Sequence, residues 1–404
     1  MTRFLAASAL ALALSTGVAG AQDTTLTLWT ESATAPEGVF AQEFSEMDNG
    51  ITIEVREIRF DDLVADTLRA VATNTNPDLI AIDNPDHAAF ASRGAFLDLT
   101  DMIAGSEVID IEQVFPGPRA SLTWEDRVYG IPRASNTIAL YYNKDMFRAA
   151  GLDPDAPPQT WAELIDAARA LNDPDNDVYG LAFSARASEE GTFQFLPWAQ
   201  MAGGSFDNIN AEGVADALGV WKTLLDEGLA SPDTLTRGQW DSTGTFNGGN
   251  AAMVISGPWE LGRMAADAQF DWGVTLLPTR EAGGERASAL GDFNIAVFAN
   301  TENPDAAFQF LEYYWSQIDR VWPEFTRLPA VEGVALAPTG DERIDAAAEV
   351  FAEQLKYARN RGPHPEWPRI SQHIQDAFQS VLTGQAEAQE ALDIAAEEID
   401  AIVN

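Results

Sequence analysis

The amino-acid sequence predicts an α/β fold with a parallel β-sheet in its N-terminal part. Alternating apolar residues at 25–28 and 51–55 are typical of half-buried strands, and 77–83 has the composition of a buried third strand. Helical spacing of apolar residues separates these strands, around 39–47 and again at 63–72. Strand and helix patterns that alternate in this way predict βαβ units, in which a helix crosses over between two parallel strands.

The later part of the chain continues the mixture of strands and helices. Thr160 and Glu163 form a capping-box pattern that predicts a helix through residue 171, and Asn303-Pro304 predicts another helix start. Two apolar stripes near the C-terminus predict a pair of helices that each dock on the core by one face. The remaining strands are expected at 251–255 and 294–298, and the two stripes occupy 374–382 and 392–403.

The first 21 residues have the pattern of a secretory signal peptide. Arg3 provides the positive charge, 4–14 is an apolar run too short to span a bilayer, and Ala19-Gly20-Ala21 is an A-x-A cleavage site. A signal anchor is the alternative interpretation. The chain has no Cys, so the lipid-modified form of such a signal is excluded. We therefore expect a soluble mature protein in the periplasm, with no stable membrane insertion.

Composition excludes several classes of function. The 404 residues are 46% hydrophobic and contain 63 acidic against 24 basic residues, a net charge of −39. This surface repels nucleic acid and anionic membranes, and we interpret it as an adaptation to saline surroundings, with cation binding as the alternative. The absence of Cys excludes disulfides and thiolate metal sites, and the three His lack metal-binding spacing. No cofactor is expected.

Several motifs, weak alone, occur together in a characteristic order. They are 77–80 with 93–100, Tyr129-Gly130-Ile131-Pro132, Tyr142-Asn143-Lys144-Asp145, 246–253 with 257–259, and 382–385 with 391–392. In this order and spacing the chain resembles the extracellular solute-binding proteins of carbohydrate ABC import systems, the family that includes the maltose-binding protein. The resemblance covers essentially the whole mature chain.

The resemblance implies a two-lobed periplasmic-binding-protein fold of type II, each lobe a central sheet flanked by helices and joined by hinge crossings. It further implies a monomer that captures a sugar between the lobes, delivers it to an inner-membrane ABC permease and performs no catalysis. By position, residues 1–21 would be the signal peptide, 22–134 plus 291–338 lobe one, and 137–288 plus 339–404 lobe two. The hinges would lie near 133–136 and 288–291.

Candidate ligand-binding residues follow the predicted strands. Ligands of open parallel sheets lie beyond the carboxyl ends of the strands, and sugars pack on aromatic rings while their hydroxyls bond to carboxylates and amides. This rule collects ten side chains that follow four strands, among them Thr30, Asp62 and Glu260, and seven of the ten are the candidate ligand-binding residues. They are Trp29, Glu31, Phe60, Asp61, Asp83, Asn84 and Trp259.

Four further candidates come from the motifs. Arg133 and Arg327 are unusual in a chain with few cations, and either would bind a hydroxylated or acidic ligand if it faced the cleft rather than a surface carboxylate. Asp292 follows the second crossing. Trp198 lies in a segment that resembles an aromatic segment of lobe two in the family, although a core position is the alternative for any single Trp.

Three other interpretations remain open. The same fold would serve for a charged ligand, such as an anionic or sulfonated sugar or a polyamine. A secreted glycoside hydrolase would use two carboxylates, but a chain with 63 acidic residues offers such a pair by chance. Asp173, Asp175 and Asp177 imitate the start of an EF-hand, but Val178 replaces its Gly and Ser184 its bidentate Glu, so a turn is expected there.

Overall fold

The computed structural model describes residues 24–404. The predicted signal peptide at 1–21 lies outside these residues. The strands are β1 Thr24–Thr30, β2 Ile51–Glu57, β3 Leu79–Asp83, β4 Thr123–Trp124, β5 Arg127–Val128, β6 Gly130–Pro132, β7 Ala139–Asn143, β8 Met253–Ser256, β9 Trp272–Thr275, β10 Ser288–Ala289, β11 Phe293–Val297 and β12 Ala358–Arg359.

Helices surround the strands on all sides. In order they are α1 Pro36–Ser45, α2 Phe60–Thr73, α3 His87–Ala91, α4 Thr100–Gly105, α5 Pro116–Leu122, α6 Lys144–Ala149, α7 Trp161–Leu171, α8 Glu189–Met201, α9 Val214–Asp226, α10 Gln239–Asn247, α11 Leu261–Asp267, α12 Pro304–Ser316, α13 Val321–Phe325, α14 Glu342–Leu355, α15 Trp367–Leu382 and α16 Ala388–Val403. No helix between residues 24 and 404 combines the length and the apolar character needed to traverse a bilayer.

The first sheet has the strand order β2-β1-β3-β11-β6. β1 pairs in parallel with β2 and β3, as the alternating pattern predicts, whereas β11 runs antiparallel to both β3 and β6. Its core contains Leu28 and Ile80 from the strands and Phe40 from α1, all fully buried. Because β11 joins this sheet from far along the chain, its direction is not set by the local pattern of helices and strands.

The second sheet is antiparallel, with the order β8-β7-β9. The predicted capping box is present at the start of α7, where Glu163 N donates to Thr160 Oγ1 (3.3 Å) and Thr160 N donates to Glu163 Oε2 (3.1 Å). The two C-terminal helices α15 and α16 pack on each other and on α9 through the predicted stripes, with Phe378 and Leu392 fully buried.

Three short crossing segments connect the parts of the chain that carry the two sheets. Asn136 and Gly291 exchange backbone hydrogen bonds of 3.1 Å in both directions, and Ser135 N donates to Leu328 O (2.7 Å). A Cβ atom at Gly291 would lie 2.3 Å from Asn136 Oδ1 and 2.7 Å from a ring carbon of Phe193. The close approach of the two crossings therefore requires glycine at position 291.

The sequence that imitates an EF-hand forms a short turn, as expected. Pro174–Asn176 is a single 3₁₀ turn, and Asn176 Nδ2 donates to Asp173 Oδ2 (2.7 Å). Throughout the described part of the chain, no group of His, Asp and Glu side chains is arranged to hold a metal ion.

Candidate ligand-binding site

A cavity of about 610 Å³ opens between the two sheets, beyond the ends of β1, β3 and β8. Among the residues that the structure describes, its wall contains seven carboxylates, four arginines and six aromatic rings. The carboxylates are Glu31, Asp83, Glu189, Glu190, Glu260, Asp292 and Glu324, and the arginines are Arg133, Arg263, Arg327 and Arg361. The rings are Phe60, Phe193, Trp240, Trp259, Phe293 and Phe325.

Seven of the eleven predicted site residues line this cavity, and each is positioned by the end of an element. Glu31 follows β1, Phe60 begins α2, and Asp83 ends β3. Trp259 lies in the turn after β8, and the remaining three lie at the crossings or beside them. The seven are Glu31, Phe60, Asp83, Arg133, Trp259, Asp292 and Arg327.

Asp61 and Asn84 lie close to the cavity but do not line it. Asp61 faces a second cavity of about 340 Å³ and pairs with Arg186 Nη1 at 2.8 Å. Asn84 is buried, and its Oδ1 accepts a hydrogen bond from Arg361 Nη2 (3.1 Å). The structure therefore places neither side chain on the wall of this cavity.

Trp29 and Trp198 belong to the core, which corrects the prediction that they face the cleft. Trp29 packs in the core of the first sheet, and the Arg56 guanidinium covers its ring at 4.9 Å. Trp198 has no exposed surface and lies on the fully buried stretch of α8, with Trp161 and Trp221 around it. An aromatic-rich helix that is buried on all faces is core, which the family-like spacing did not distinguish.

Arg133 lies at the centre of a buried ionic network at the base of the cavity. Its Nε donates to Asp292 Oδ1 (2.6 Å), and its Nη1 contacts Glu31 Oε1 (3.0 Å) and Glu37 Oε1 (3.3 Å). Burial alone would lower the pKa of Arg133, but the three carboxylates outweigh it and raise this pKa well above its ordinary value. Glu37 was not predicted; it follows the proline that begins α1 and is fully buried.

The backbone of Asp292 has a conformation that non-glycine residues rarely adopt. Its φ is +99°, and its carboxylate is held by Arg133 on one oxygen and by Asn136 Nδ2 on the other (3.2 Å). Burial acts to raise the pKa of Asp292, but the charges of Arg133 and Arg327 and the hydrogen bonds from Arg133 and the Phe293 backbone together outweigh burial and lower this pKa. Strain of this kind persists where surrounding contacts enforce it, and it is concentrated at functional sites.

Unlike Arg133, Arg327 forms no ion pair with any residue of the described chain. Its Nη1 donates only to the backbone oxygen of Phe325 (3.3 Å), and its buried Nε has no acceptor among the described residues. Burial and the nearby Arg133 charge lower the pKa of Arg327. Its guanidinium therefore borders the cavity with donors left to offer.

Glu260 is an acceptor in the wall of the same cavity. Its side chain has no exposed surface, and burial raises its pKa to about 7, although Arg263 Nε lies 2.9 Å from Oε2. Within residues 24–404, neither carboxylate oxygen of Glu260 has a well-oriented hydrogen-bond donor. The positive charge of Arg327 also acts on Glu260 and lowers its pKa, against the effect of burial. A hydroxyl group between the two would satisfy both.

Trp240 and Arg361 are further wall residues that were not predicted. Trp240 is 61% exposed, and the Arg263 guanidinium lies over its ring at 3.6 Å. Arg361 is buried and forms a two-pronged contact with Asp83, both distances 2.9 Å, while its Nη1 also contacts Glu189 (2.7 Å). Trp240 and Arg361 lie in segments without a strand or motif signal, so the sequence gives no indication of them.

This arrangement suits a ligand with several hydroxyl groups. The aromatic rings offer faces for the C–H surface of a sugar, and Arg327 and Glu260 supply a free donor and free acceptors. Four carboxylates of the described wall form ion pairs with two arginines, since Arg133 contacts Glu31 and Asp292 and Arg361 contacts Asp83 and Glu189.

Comparisons with known proteins agree with this geometry. A family model described as bacterial extracellular solute-binding protein matches residues 40–348. The galactooligosaccharide-binding protein of Bacillus subtilis strain 168 is 24% identical over 374 residues, which cover 87% of this chain and 83% of that protein. The sn-glycerol-3-phosphate-binding periplasmic protein of Salmonella typhimurium strain LT2 is 27% identical over 291 residues, covering 65% and 64%.

Solved structures give the same result. An ABC transporter solute-binding protein of Thermotoga lettingae TMO, crystallised with α-D-tagatose, superposes with a TM-score of 0.83 at 27% identity. The match covers 94% of this chain and 100% of that one. The predicted two-lobed α/β fold, with helices flanking a sheet in each lobe, is confirmed.

Proposed function

Because the chain belongs to the bacterial extracellular solute-binding protein family, we propose that it captures a sugar in the cavity between its lobes and delivers it to an ABC permease. The observation that carries the proposal is that Arg327 and Glu260, each with unpaired polar atoms among the described residues, both line the cavity beside its aromatic rings. The sugar- and oligosaccharide-binding proteins among its relatives and structural neighbours support it.

The location and assembly follow from the same role. Residues 1–21 direct the protein to the periplasm, where it acts as a monomer and meets the permease through surfaces of both lobes. Lobe one comprises 22–134 plus 291–338, and lobe two 137–288 plus 339–404. Two hydrophobic cores of the described residues support most of these bounds, because one draws on 26–131 and 293–331 and another on 138–289 and 367–399. A third core packs Trp322 and Leu328 of lobe one against Tyr141 and Phe351 of lobe two, so the chain changes lobes gradually around 322–338.

Ligand capture works by closure about the crossings at 133–136 and 288–291. The paired backbone of Asn136 and Gly291 lets the lobes rotate without breaking either sheet. A ligand that contacts Arg327 on one lobe and Glu260 on the other interacts with both only in the closed form. It therefore shifts the open–closed equilibrium by the difference in its affinity for the two forms.

The balance of charge distinguishes neutral from anionic ligands. One relative is named for sn-glycerol-3-phosphate, so the family includes binders of anions. In the described wall of this cavity, however, carboxylates outnumber arginines, and Arg133 and Arg361 are already occupied by Asp292, Asp83 and their neighbours. Only Arg327 is free, so a phosphate or sulfonate would meet excess negative charge.

Binding without turnover is the second element of the proposal. A glycoside hydrolase needs a proton-donating acid and a second carboxylate that flanks the same glycosidic bond. Glu260, with its raised pKa, has the character of the acid. The side chains whose charges act most strongly on Glu260 are, however, Arg263 and Arg327, which can hold hydroxyl groups but cannot serve as the second carboxylate.

The test is a thermal-shift screen of the mature protein with neutral sugars, sugar acids, sulfonated sugars and polyamines, followed by calorimetry on the hits. We expect neutral sugars to raise the melting temperature and sulfonated sugars to leave it unchanged. Chromatography of an oligosaccharide incubated with the protein should show no new product. Product release, or stabilisation by anions alone, would contradict the proposal.

A further inference from the structure

The second cavity, of about 340 Å³, adjoins the sugar cavity and has no role in the function proposed above. Phe60, Asp83 and Glu189 line both cavities, so a ligand in the first reaches the second past these three side chains. Asp61, Asp86 and Arg186 complete the charged part of its wall.

The described wall of the second cavity contains more carboxylates than arginines. Asp83 and Glu189 share a single guanidinium, that of Arg361, at 2.7–2.9 Å. Asp61 is neutralised by Arg186 (2.8 Å). Asp86 forms no ion pair and accepts no hydrogen bond within the described chain, so the Arg361 charge reaches it only from a distance, although its side chain contributes to the cavity wall.

Asp86 is only 6% exposed, so its isolation is costly. A buried carboxylate without a partner is destabilising, and proteins pair such groups or keep them protonated. Burial and the Glu189 and Asp83 charges raise the pKa of Asp86 well above its ordinary value. The hydroxyl of Ser188, on the same wall, is likewise buried and has no partner among the described residues.

We propose that the second cavity receives a protonated amino group of the ligand, so that the transported molecule is a carbohydrate carrying an amine. An ammonium group has three donors and one positive charge. Asp86 and Ser188 would accept its hydrogen bonds, and its charge would balance the carboxylate that Arg361 leaves uncompensated. The inference rests on the proposed function, since the ring of the same ligand occupies the sugar cavity.

Calorimetry with matched pairs of ligands tests the inference. The pairs are glucose and glucosamine, galactose and galactosamine, and sorbitol and glucamine, with the N-acetylated amines as uncharged analogues of similar size. We expect at least one amine to bind about tenfold or more tightly than both its hydroxyl and its N-acetyl counterparts, as charge-assisted hydrogen bonds do. Neutral sugars binding as well as every amine would overturn the inference and leave the sugar-binding function intact. Binding by no member of the panel would overturn both.

Two variants connect that preference to the cavity. Asp86→Asn removes the isolated carboxylate, so it should raise the melting temperature of the ligand-free protein and reduce the preference for the amine about tenfold. Asp61→Asn leaves the Arg186 charge uncompensated and should weaken amine binding while sparing neutral sugars. Asp62→Asn, at an exposed neighbouring position, is the matched control. An unchanged amine preference in both Asp86→Asn and Asp61→Asn would reject the second cavity as the amine site.

Discussion

Arg133 and Asp292 join two of the crossing segments through a buried ion pair of 2.6 Å. Arg133 follows the last strand before the first crossing, and Asp292 follows the second crossing, 159 positions later in the chain. Asp292 has a φ of +99° in this pair, and Arg133 also contacts Glu31 at the cavity wall. One side chain therefore connects the crossing segments to the wall of the candidate site.

Breaking this pair should destabilise the protein strongly. Arg133→Met leaves Asp292, Glu37 and Glu31 close together without their cation, and loss of one partner of a buried pair costs about 3–5 kcal/mol. Urea unfolding followed by circular dichroism measures the change. Arg148→Met, which removes an exposed pair with Asp145 and Asp271, is the control and should have little effect. Equal losses in the free energy of unfolding of the two variants would show that the buried network stabilises the fold no more than an exposed ion pair does.

Removing Arg327 should weaken ligand binding without weakening the fold. Its guanidinium makes one hydrogen bond, to Phe325 O, and it repels Arg133, so Arg327→Ala should leave the melting temperature of the ligand-free protein nearly unchanged. Hydrogen bonds to charged groups contribute about 1.5–3 kcal/mol, so the Kd should rise roughly 10- to 150-fold. Calorimetry with the best sugar of the screen measures this. Arg280→Ala, at an exposed arginine far from the cavity, is the control, and equal affinity in both variants would remove Arg327 from the site.

Glu260 should make stability fall as the pH rises. Burial raises its pKa from 4.5 to about 7 in the folded state. Below pH 4.5 both states are protonated, and between about 4.5 and 7 only the unfolded state ionises, so the folded state loses stability until the pH exceeds 7. The loss from this one group is about 3 kcal/mol. Partly buried Glu31 and Glu190 and buried Asp86, whose pKa values are also raised, act in the same direction.

The Glu260→Gln variant isolates this contribution. Melting temperatures between pH 5 and 8.5 should depend less on pH in the variant, and at pH 8 the variant should be the more stable protein. Glu281→Gln, at an exposed position, should follow the native profile. In the native protein, sugar affinity should rise through pH 7 with release of a proton, because a ligand hydroxyl donates to the ionised carboxylate. Native-like pH dependence in Glu260→Gln would contradict this assignment.

The sequence predicted the fold well because its signals are local. The alternation in β1 and β2, the capping box at Thr160 and the apolar stripes of α15 and α16 are each formed by neighbouring residues, and each was confirmed. The antiparallel direction of β11 was not predictable in this way. It depends on pairing with Asp83 and its neighbours, more than 200 positions earlier in the chain.

The site was only partly predictable for the same reason. Strand ends indicated Glu31, Phe60, Asp83 and Trp259, since a side chain just after a strand lies at the sheet edge. Whether a tryptophan faces a cleft or the core depends on what packs against it, and nothing local distinguishes the buried Trp198 from the exposed Trp240. Arg361 acquires its position from partners in distant elements, Asp83 and Glu189.

Trp240 should contribute to ligand binding and to the fluorescence change on binding. Its ring is largely exposed and is covered on one face by Arg263, so its other face is available for a sugar. Trp240→Ala should weaken binding by about 1–3 kcal/mol without a loss of melting temperature, because little of the ring is buried before ligand binds. Trp240→Phe should retain most of the affinity but lose most of the fluorescence change. An unaltered fluorescence response in Trp240→Phe would assign the signal to Trp259 instead.

Two partly exposed ion pairs, besides the buried pair of Arg361 with Asp83, join the two proposed lobes and should contribute to the open–closed balance. Arg186 contacts Asp61 at 2.8 Å and Arg93 contacts Glu366 at 2.6 Å, and in each pair one residue belongs to each lobe. Both pairs are partly exposed, so each contributes modestly and weakens with salt. The double variant Arg93→Ala/Arg186→Ala should therefore shift the ligand-free protein toward the open form. Small-angle X-ray scattering should show a larger radius of gyration, which added sugar reduces. The control is Arg169→Ala, which breaks ion pairs within lobe two and should scatter like the native protein. If the double variant also scatters like the native protein, these contacts do not affect closure.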